Sequence, residues 1–335
     1  MKYYLNNSYQ FLQANADCSD CFKCPQKLYI DITQNCNLWC NMCRDKISLH
    51  GKTMSFDLFK QIIDETSPYV RSYSLFNWGE PLIVKSFCDM VRYANQKKRS
   101  DCNIEISTNG MLLDKQMIDF LVSEKVDLII SVDGADKPTF ESIRRGANFE
   151  LILKNVKYAA KAYGDYPINK SPGFYISIQR QNQNKILEIV KLGLSLGIIR
   201  IGCGLVVAPK ELAAIQNEEL CRELEKTYQF IDENGMFIEV CPTKVGEFVL
   251  VGNKYCTMSN YIVNTTCNAT MVSAVIDYSG DVYLCCNVGE RVGSIINSNF
   301  LDIWKSEKYN QLRNKVNDFD SMPDRCKNCT WFNRN

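Results

Sequence analysis

Short apolar runs alternate with helical patterns through the first two thirds of the chain, and this alternation restricts the fold more than any other feature of the sequence. The runs predict strands near 28–33, 73–77, 103–107, 128–132, 173–179 and 198–202. Apolar residues at helical spacing predict helices over about 55–66, 84–97, 115–124, 149–163 and 185–196. Strands that alternate with helices form parallel sheets, so the sequence predicts an α/β fold.

Three cysteines follow the first predicted strand at Cys-x3-Cys-x2-Cys spacing: Cys36, Cys40 and Cys43. An iron–sulfur cubane normally takes four thiolates. Three thiols on one loop therefore suggest a cluster with one iron left open, and an open metal position is where chemistry occurs. A zinc site or three reduced core thiols are the plainer alternatives.

Glycine-containing polar segments follow three more of the predicted strands. They are Asn77-Trp-Gly-Glu-Pro81, Ser107-Thr-Asn-Gly110 and Ser131-Val-Asp-Gly134. The carboxyl ends of parallel strands assemble ligand sites at one edge of a sheet, so we expect these segments beside the cysteine triplet. Each segment alone is also compatible with an ordinary turn.

In order and spacing, these segments resemble the radical S-adenosylmethionine (radical SAM) enzymes. The resemblance implies an open, partial (βα)6 barrel whose cysteine triplet binds a 4Fe–4S cluster, with SAM chelating the open iron. Trp78, Gly79, Glu80 and Pro81 would form the family's Gly-Gly-Glu-Pro segment, with Trp78 where a glycine usually stands. Gly79 would keep the backbone close to the ligand. Glu80 and nearby carbonyls would accept hydrogen bonds from the methionyl ammonium.

The resemblance also implies contacts to the rest of the cofactor. Ser107 and Asn109 would meet its ribose or carboxylate, and Ser131 and Asp133 repeat that pattern after the next strand. Arginines could bind the cofactor carboxylate or anionic groups of the substrate, and the candidates are Arg144, Arg145 and Arg180. Surface positions are the commoner alternative for arginine.

Catalytic residues are less well defined than cofactor residues. Cys203, at the end of the sixth predicted strand, would point at the active rim and could return hydrogen to a substrate radical; a small buried strand residue is the alternative. Arg180 is the other catalytic candidate. The groups that could accept a substrate proton are Glu239, Asp133, Lys244 and Arg180.

The pattern changes after about residue 252, where cysteines and short strands replace the alternation. This part resembles the twitch domain, a shortened SPASM domain, with a β-hairpin turn at Gly280. The resemblance implies that one auxiliary 4Fe–4S cluster is held by Cys267, Cys285, Cys326 and Cys329. Cys286 and Cys256 compete for a ligand place, and zinc is the alternative metal. The sequence stops soon after Cys329, so we expect a single auxiliary cluster.

The predicted domains are an extension over 1–27, the barrel over 28–250 and the auxiliary domain over 251–335. The extension contains Cys18, Cys21 and Cys24, whose spacing overlaps a ferredoxin pattern. A further cluster there would need a fourth ligand from elsewhere, for which Cys203, Cys241 and Cys256 are the candidates. Reduced thiols are the alternative.

Composition indicates an ordinary globular protein: 335 residues, 46% apolar, 23% charged, with a formal charge of +1. The sequence has no signal peptide or apolar run of membrane-spanning length, so we expect a cytoplasmic protein without membrane contact. Seventeen cysteines then indicate metal clusters rather than disulfides. No basic block supports nucleic-acid binding. With His50 as the only histidine, proton transfer must rest on other groups.

These features predict a radical SAM oxidoreductase. The resemblance implies that one electron cleaves SAM to methionine and a 5′-deoxyadenosyl radical, which abstracts hydrogen from the substrate. The cysteine spacing resembles an aminocyclitol dehydrogenase, so the main expectation is oxidation of an alcohol carbon in a sugar or cyclitol-type small molecule. The alternative is a peptide-crosslinking or epimerising enzyme, and a distant one is an electron carrier or zinc-binding module. We expect an electron donor such as flavodoxin or ferredoxin as a partner.

Overall fold

The computed structural model describes residues 23–43, 52–207, 209–242, 244–257, 267, 269–285, 289–318, 320–323, 326 and 329. Within them, a ten-stranded sheet has the order β13-β12-β11-β1-β2-β3-β4-β5-β6-β7. No helix in these ranges is long and apolar enough to cross a bilayer.

Seven parallel strands form an open, partial barrel. They are β1 (Lys27–Ile30), β2 (Ser72–Ser74), β3 (Asn103–Thr108), β4 (Asp127–Ser131), β5 (Gly173–Ile178), β6 (Arg200–Leu205) and β7 (Phe237–Val240). The helices between them are α1 (Phe56–Thr66), α2 (Phe87–Lys97), α3 (Lys115–Ser123), α4 (Lys137–Ile143), α5 (Phe149–Ala162), α6 (Ile186–Ser195) and α7 (Glu218–Glu233).

The predicted α/β barrel is confirmed, with each of the six predicted strands and five predicted helices present. The apolar patterns did not indicate α4, α7 or β7. Helix α2 begins three residues later than predicted because Pro81–Ile83 forms a separate 3-10 turn. Side-chain caps define several helix starts: Ser55, Asp114, Asp136, Asn148 and Asn217 each accept a backbone N–H of the first turn.

The C-terminal part extends the barrel sheet. After α8 (Ala269–Val272), β11 (Ser273–Ile276) pairs in parallel with β1, and the hairpin strands β12 (Asp281–Tyr283) and β13 (Arg291–Ser294) follow in antiparallel order. Two helices follow, α9 (Phe300–Lys305) and α10 (Glu307–Asn317), separated by Ser306.

The predicted boundary at residue 251 falls inside a small antiparallel sheet. Its strands are β8 (Lys244–Val245), β9 (Phe248–Val251) and β10 (Lys254–Thr257). Because β11 pairs with β1, main-chain hydrogen bonds join the C-terminal part to the barrel sheet. The division into domains at 250/251 stays a prediction.

Strand direction separates the two groups of predicted cluster cysteines. The triplet loop follows the carboxyl end of β1, whereas Cys285 follows β12, which runs the opposite way beside β11. At about 3.3 Å per residue, the four-residue length of β1 places roughly 13 Å between these two ends of the sheet. The barrel interior lies between them.

Candidate active site

The loop over 31–43 that carries the cysteine triplet is fixed by backbone hydrogen bonds to the end of α4. Trp39 N donates to Arg145 O at 2.9 Å, and Asn41 N donates to Ile143 O at 3.0 Å. These bonds use carbonyls at a helix end that would otherwise lack an intrahelical partner. Helix α4, which the sequence analysis missed, therefore helps to position the triplet.

Burial keeps the thiols of Cys36 and Cys40 protonated when no metal is bound. Burial raises the pKa of Cys36, and raises the pKa of Cys40 to about 11. Electrostatic repulsion from neighbouring thiolates is a smaller cause of both increases. Metal binding to these residues would therefore release protons.

Hydrogen-bond donors surround two of the sulfur atoms. Leu38 N donates to Cys36 Sγ at 3.4 Å, and Asn109 Nδ2 lies 3.8 Å from the same sulfur. Arg144 Nη1 lies 3.9 Å from Cys40 Sγ. Hydrogen bonds to the sulfurs are a main way in which proteins tune iron–sulfur clusters. The residues present therefore fit a thiolate-held cluster on this loop.

Asp133 and Arg144 form a buried ion pair instead of lying open to a ligand. Arg144 Nη2 and Asp133 Oδ2 are 2.7 Å apart, with side chains 8% and 0% exposed. Asp133 Oδ1 also accepts Ser177 N at 2.7 Å. Arg144 Nε has no hydrogen-bond partner in the described structure. Arg144 of this pair contacts the sulfur of Cys40. The Asp133 carboxylate is therefore not open to the ribose of the cofactor or to a substrate proton.

Gly79 makes its close approach to the triplet loop. A Cβ at this position would lie 2.1 Å from Thr33 O and 2.7 Å from Asn35 O. Glu80 N donates to Asn35 O at 2.8 Å. The glycine therefore lets the turn after β2 pack directly on the loop backbone, and its close approach to the ligand stays a prediction. Trp78 N, at 3.3 Å from Asp31 Oδ1, adds to the same contact.

The hydrogen-bond partners of the Glu80 carboxylate are groups of the protein itself. The carboxylate is buried, and it accepts hydrogen bonds from Leu82 N at 3.2 Å, Thr108 Oγ1 at 2.7 Å and Asn109 N at 2.8 Å. Burial raises the pKa of Glu80 to about 7 against the lowering effect of these donors. Its side chain thus positions Asn109, and the backbone carbonyls of the turn remain as acceptors for an ammonium group.

Replacement of Glu80 by Gln should flatten the pH dependence of stability. A folded-state pKa near 7, against an ordinary value of 4.5, means that stability falls as pH rises from about 4.5 to 7. The expected contribution of Glu80 is about 3 kcal/mol over this range. Melting temperatures of matched anaerobic preparations between pH 5 and 7.5 measure it. Equal slopes for parent and E80Q would contradict the raised pKa.

Half-buried hydroxyl groups line the barrel interior near the triplet. Strand residues alternate between two faces, and Phe174 of β5 packs against Gly193 of α6, so Tyr175 faces the interior. Ser131 pairs with Tyr175 across β4 and β5 and shares this face, and the alternation places Ser107 there as well. The cofactor contacts of Ser107 and Ser131 stay a prediction.

Paired charges fill the opposite end of the interior. Lys27 and Glu105 form a buried ion pair at 3.3 Å, and Ser74 Oγ donates to the same carboxylate at 2.9 Å. Arg200 Nε lies 3.7 Å from Glu239 Oε2. Glu239, one of the predicted proton acceptors, therefore belongs to a charge network at the amino end of the strands.

Cys203 does not face the active rim, and this prediction of its direction is wrong. On β6 it pairs with Ile176 and so shares the helix-facing side of the sheet with Phe174. Its thiol lies near Cys241 and is hydrogen-bonded with Tyr228 of α7, and burial raises its pKa well above the ordinary value. The geometry gives no support to a hydrogen-donor role. Arg180 is exposed after β5, and Lys244 lies on β8.

The predicted auxiliary ligands lie in the C-terminal part as follows. Cys267 is buried before α8, Cys285 is half-buried after β12, and Cys329 N donates to Cys326 O at 3.2 Å. Cys256, an alternative candidate for an auxiliary ligand, is half-buried on β10. Cys18, Cys21, His50 and Cys286 lie outside the described residues; Cys24 Sγ accepts Gln26 Nε2 at 3.8 Å.

Helix α10 contributes polar residues that the sequence analysis missed. Asn317 Oδ1 accepts Cys267 N at 2.7 Å, Arg313 Nε donates to Thr270 O at 3.0 Å, and Tyr309 lies near Cys285. Their spacing of four residues places them on one helix face. That spacing was the available signal in the sequence.

Comparison with known proteins agrees with this geometry. Residues 30–193 match the model of the radical SAM superfamily, and residues 267–330 match that of the SPASM iron–sulfur cluster-binding domain. The chain is 27% identical to a tungsten-containing aldehyde ferredoxin oxidoreductase cofactor-modifying protein of Pyrococcus furiosus, over 85% of this chain and 82% of that protein. It is 26% identical to mycofactocin maturase MftC of Mycolicibacterium smegmatis, over 86% and 72%.

A solved structure shares the fold. Streptococcus suis SuiB, bound to precursor peptide SuiA, superposes with a TM-score of 0.68 at 18% identity, covering 92% of this chain and 72% of that one. The barrel with its triplet loop and the C-terminal hairpin thus define an iron–sulfur enzyme that binds SAM. The chain belongs to the radical SAM superfamily and carries a C-terminal SPASM-type domain for auxiliary iron–sulfur binding.

Proposed function

We propose that this chain is a radical SAM enzyme that modifies a peptide. The observation that carries its catalytic part is the buried series of contacts from Cys36 through Asn109 to Glu80, which joins the triplet loop to the ends of β2 and β3. When bound, the 4Fe–4S cluster supplies one electron that cleaves SAM to methionine and a 5′-deoxyadenosyl radical able to abstract hydrogen from the substrate.

The residues divide into those that hold the cofactors and those that hold the loop. In this proposal Cys36, Cys40 and Cys43 bind the cluster, carbonyls of the turn over 78–81 accept the methionyl ammonium, and Ser107 and Ser131 contact SAM. Asn109 and the Asp133–Arg144 pair orient the cysteine loop. Pro81 begins the 3-10 turn that fixes Glu80.

A peptide suits the interior better than the small alcohol that the sequence analysis favoured. Near the triplet the interior-facing groups described above are hydroxyls, and the charges at the far end are paired. Hydroxyls both donate and accept, so they match peptide N–H and C=O groups. The similarity to SuiB, which was crystallised with a precursor peptide, supports the same choice.

Substrate screening tests the peptide proposal. Reconstituted enzyme with SAM and a reductant is incubated with a randomised peptide library and, separately, with sugars and aminocyclitols. We expect a peptide to raise 5′-deoxyadenosine formation at least about tenfold. The peptide should lose two hydrogens if crosslinked, or gain deuterium at an α-carbon in D2O if epimerised. Stimulation by a cyclitol alone, with formation of a carbonyl, would restore the alcohol-oxidation alternative.

In this proposal the auxiliary cysteines hold a cluster that accepts an electron after hydrogen abstraction. The first cluster receives its electron from a separate cytoplasmic donor, for which flavodoxin or ferredoxin is expected. We expect C326A/C329A to lose about four iron atoms, corresponding to one cubane. The variant should still cleave SAM but should no longer release a crosslinked or oxidised product. Iron analysis and product mass spectrometry measure both effects. Undiminished product formation would show that the auxiliary site is dispensable.

A further inference from the structure

Arg313 is a buried cation whose contacts are all neutral in the described structure. The residue is 6% exposed. Its Nε donates to Thr270 O at 3.0 Å, and its Nη1 donates to Trp304 O at 2.9 Å and to Asn310 Oδ1 at 2.7 Å. Three oxygen atoms without formal charge therefore satisfy part of the guanidinium, and none of them offsets its positive charge.

Aromatic rings enclose the same guanidinium. The centroids of Trp304 and Tyr309 each lie 4.0 Å from Arg313 Cζ. Cation–π contacts stabilise a desolvated cation. Nη2 is buried and has no hydrogen-bond partner among the described groups. The arrangement holds the guanidinium in one place while leaving one donor unused.

A buried charge without a counterion is costly. An uncompensated buried charge destabilises the fold strongly. Burial accordingly lowers the pKa of Arg313. Arginine nevertheless stays protonated in proteins. The charge therefore calls for an anion that the described side chains do not supply.

Two neighbours of Arg313 on α10 contact the predicted auxiliary site. Asn317 Oδ1 accepts Cys267 N at 2.7 Å, and its Nδ2 donates to Arg313 O at 3.3 Å. On the other side, the charge of Cys285 contributes to raising the pKa of Tyr309, after burial. Arg313 thus lies between the residues that approach Cys267 and Cys285.

We propose that Arg313 is the counterion of the auxiliary cluster and raises its reduction potential. An iron–sulfur cluster held by thiolates carries net negative charge and becomes more negative on reduction, so a fixed neighbouring cation favours the reduced form. Arg313 is thereby a positioning and tuning residue for electron acceptance. The inference rests on the proposed ligands Cys267, Cys285, Cys326 and Cys329.

The test measures the auxiliary cluster alone. In the C36A/C40A/C43A background, R313M removes the charge with similar side-chain length, and R313K keeps it. EPR-monitored redox titration should show at least a tenfold shift of the reduction equilibrium towards the oxidised form in R313M, about 59 mV for a one-electron couple. R313K should shift by less than half of that. R222M, at an exposed arginine of α7, is the matched control and should not shift.

Thermal melting keeps the proposal testable if R313M binds little iron. A counterion role predicts that R313M lowers the melting temperature of the reconstituted protein more than that of the iron-free protein, because the hydrogen bonds of the guanidinium are lost in both. A purely structural role would lower both equally, and that result, or an unchanged potential with full iron, would overturn the proposal. Absence of iron in the triple-cysteine background would instead contradict the proposed auxiliary ligands.

Discussion

C36A/C40A/C43A should abolish reductive cleavage of SAM while leaving the fold intact. The three thiols lie on a loop held by backbone bonds to Arg145 and Ile143, so their loss removes metal ligands without removing those bonds. We expect iron to fall from about eight to about four atoms per chain. Formation of 5′-deoxyadenosine after dithionite reduction should fall to background.

A matched variant separates this effect from a general loss of thiols. C88A/C102A/C221A removes three cysteines that lie on or beside α2, β3 and α7. It should keep both the iron content and the cleavage rate of the parent. SAM cleavage by the variant that lacks Cys36, Cys40 and Cys43 would contradict the assignment of the first cluster.

Sequence reasoning located the site because its segments follow strands. The triplet, Gly79-Glu80-Pro81, Ser107 and Ser131 each come directly after or near the end of a parallel strand, and parallel strands bring such ends together. The sequence could not tell which of these residues face a ligand. Glu80, Asp133 and Arg144 are polar in sequence, yet their partners, Thr108, Ser177 and Cys40, are visible only after the chain is folded.

Strand parity explains the error at Cys203. A position at the end of β6 indicates nearness to the rim, but the side on which a residue projects depends on its register with β5. Cys203 pairs with Ile176, on the helix-facing side, whereas Arg200 pairs with Gly173 on the interior side. A shift of one residue in the pairing of β6 with β5 would exchange the helix-facing and interior-facing residues. The glycine-rich segment over 202–204 has no alternation of apolar and polar residues from which the correct pairing could be predicted.

Pairing between distant segments limited the prediction of the fold. β11 joins β1 across more than two hundred residues of sequence, and neither segment encodes its partner locally. The same pairing determines that Cys267 and Cys285 lie at the end of the sheet opposite the triplet. The position of these two cysteines relative to the triplet therefore depends on a long-range strand pairing that no single segment of the sequence contains.

G79A should disrupt the junction between the turn after β2 and the triplet loop. The added Cβ would lie 2.1 Å from Thr33 O and 2.7 Å from Asn35 O, and both neighbours are backbone atoms that cannot rotate away. We expect a loss of about 3 kcal/mol in the free energy of unfolding, at the upper end for overpacking. Displacement of Glu80 should also release Asn109 from Cys36. SAM cleavage should fall at least about tenfold, equivalent to about 1.4 kcal/mol.

G164A is the matched control for this substitution, because its Cβ would meet only Lys161 O, at 3.2 Å, on an exposed turn after α5. Its melting temperature, iron content and cleavage rate should stay close to those of the parent. If G79A melted and bound iron like the parent, the turn would have room to move, and Gly79 would not be needed for packing on the loop. A loss of SAM binding without a loss of stability would instead return Gly79 to the role first expected from the sequence, a close approach to the ligand.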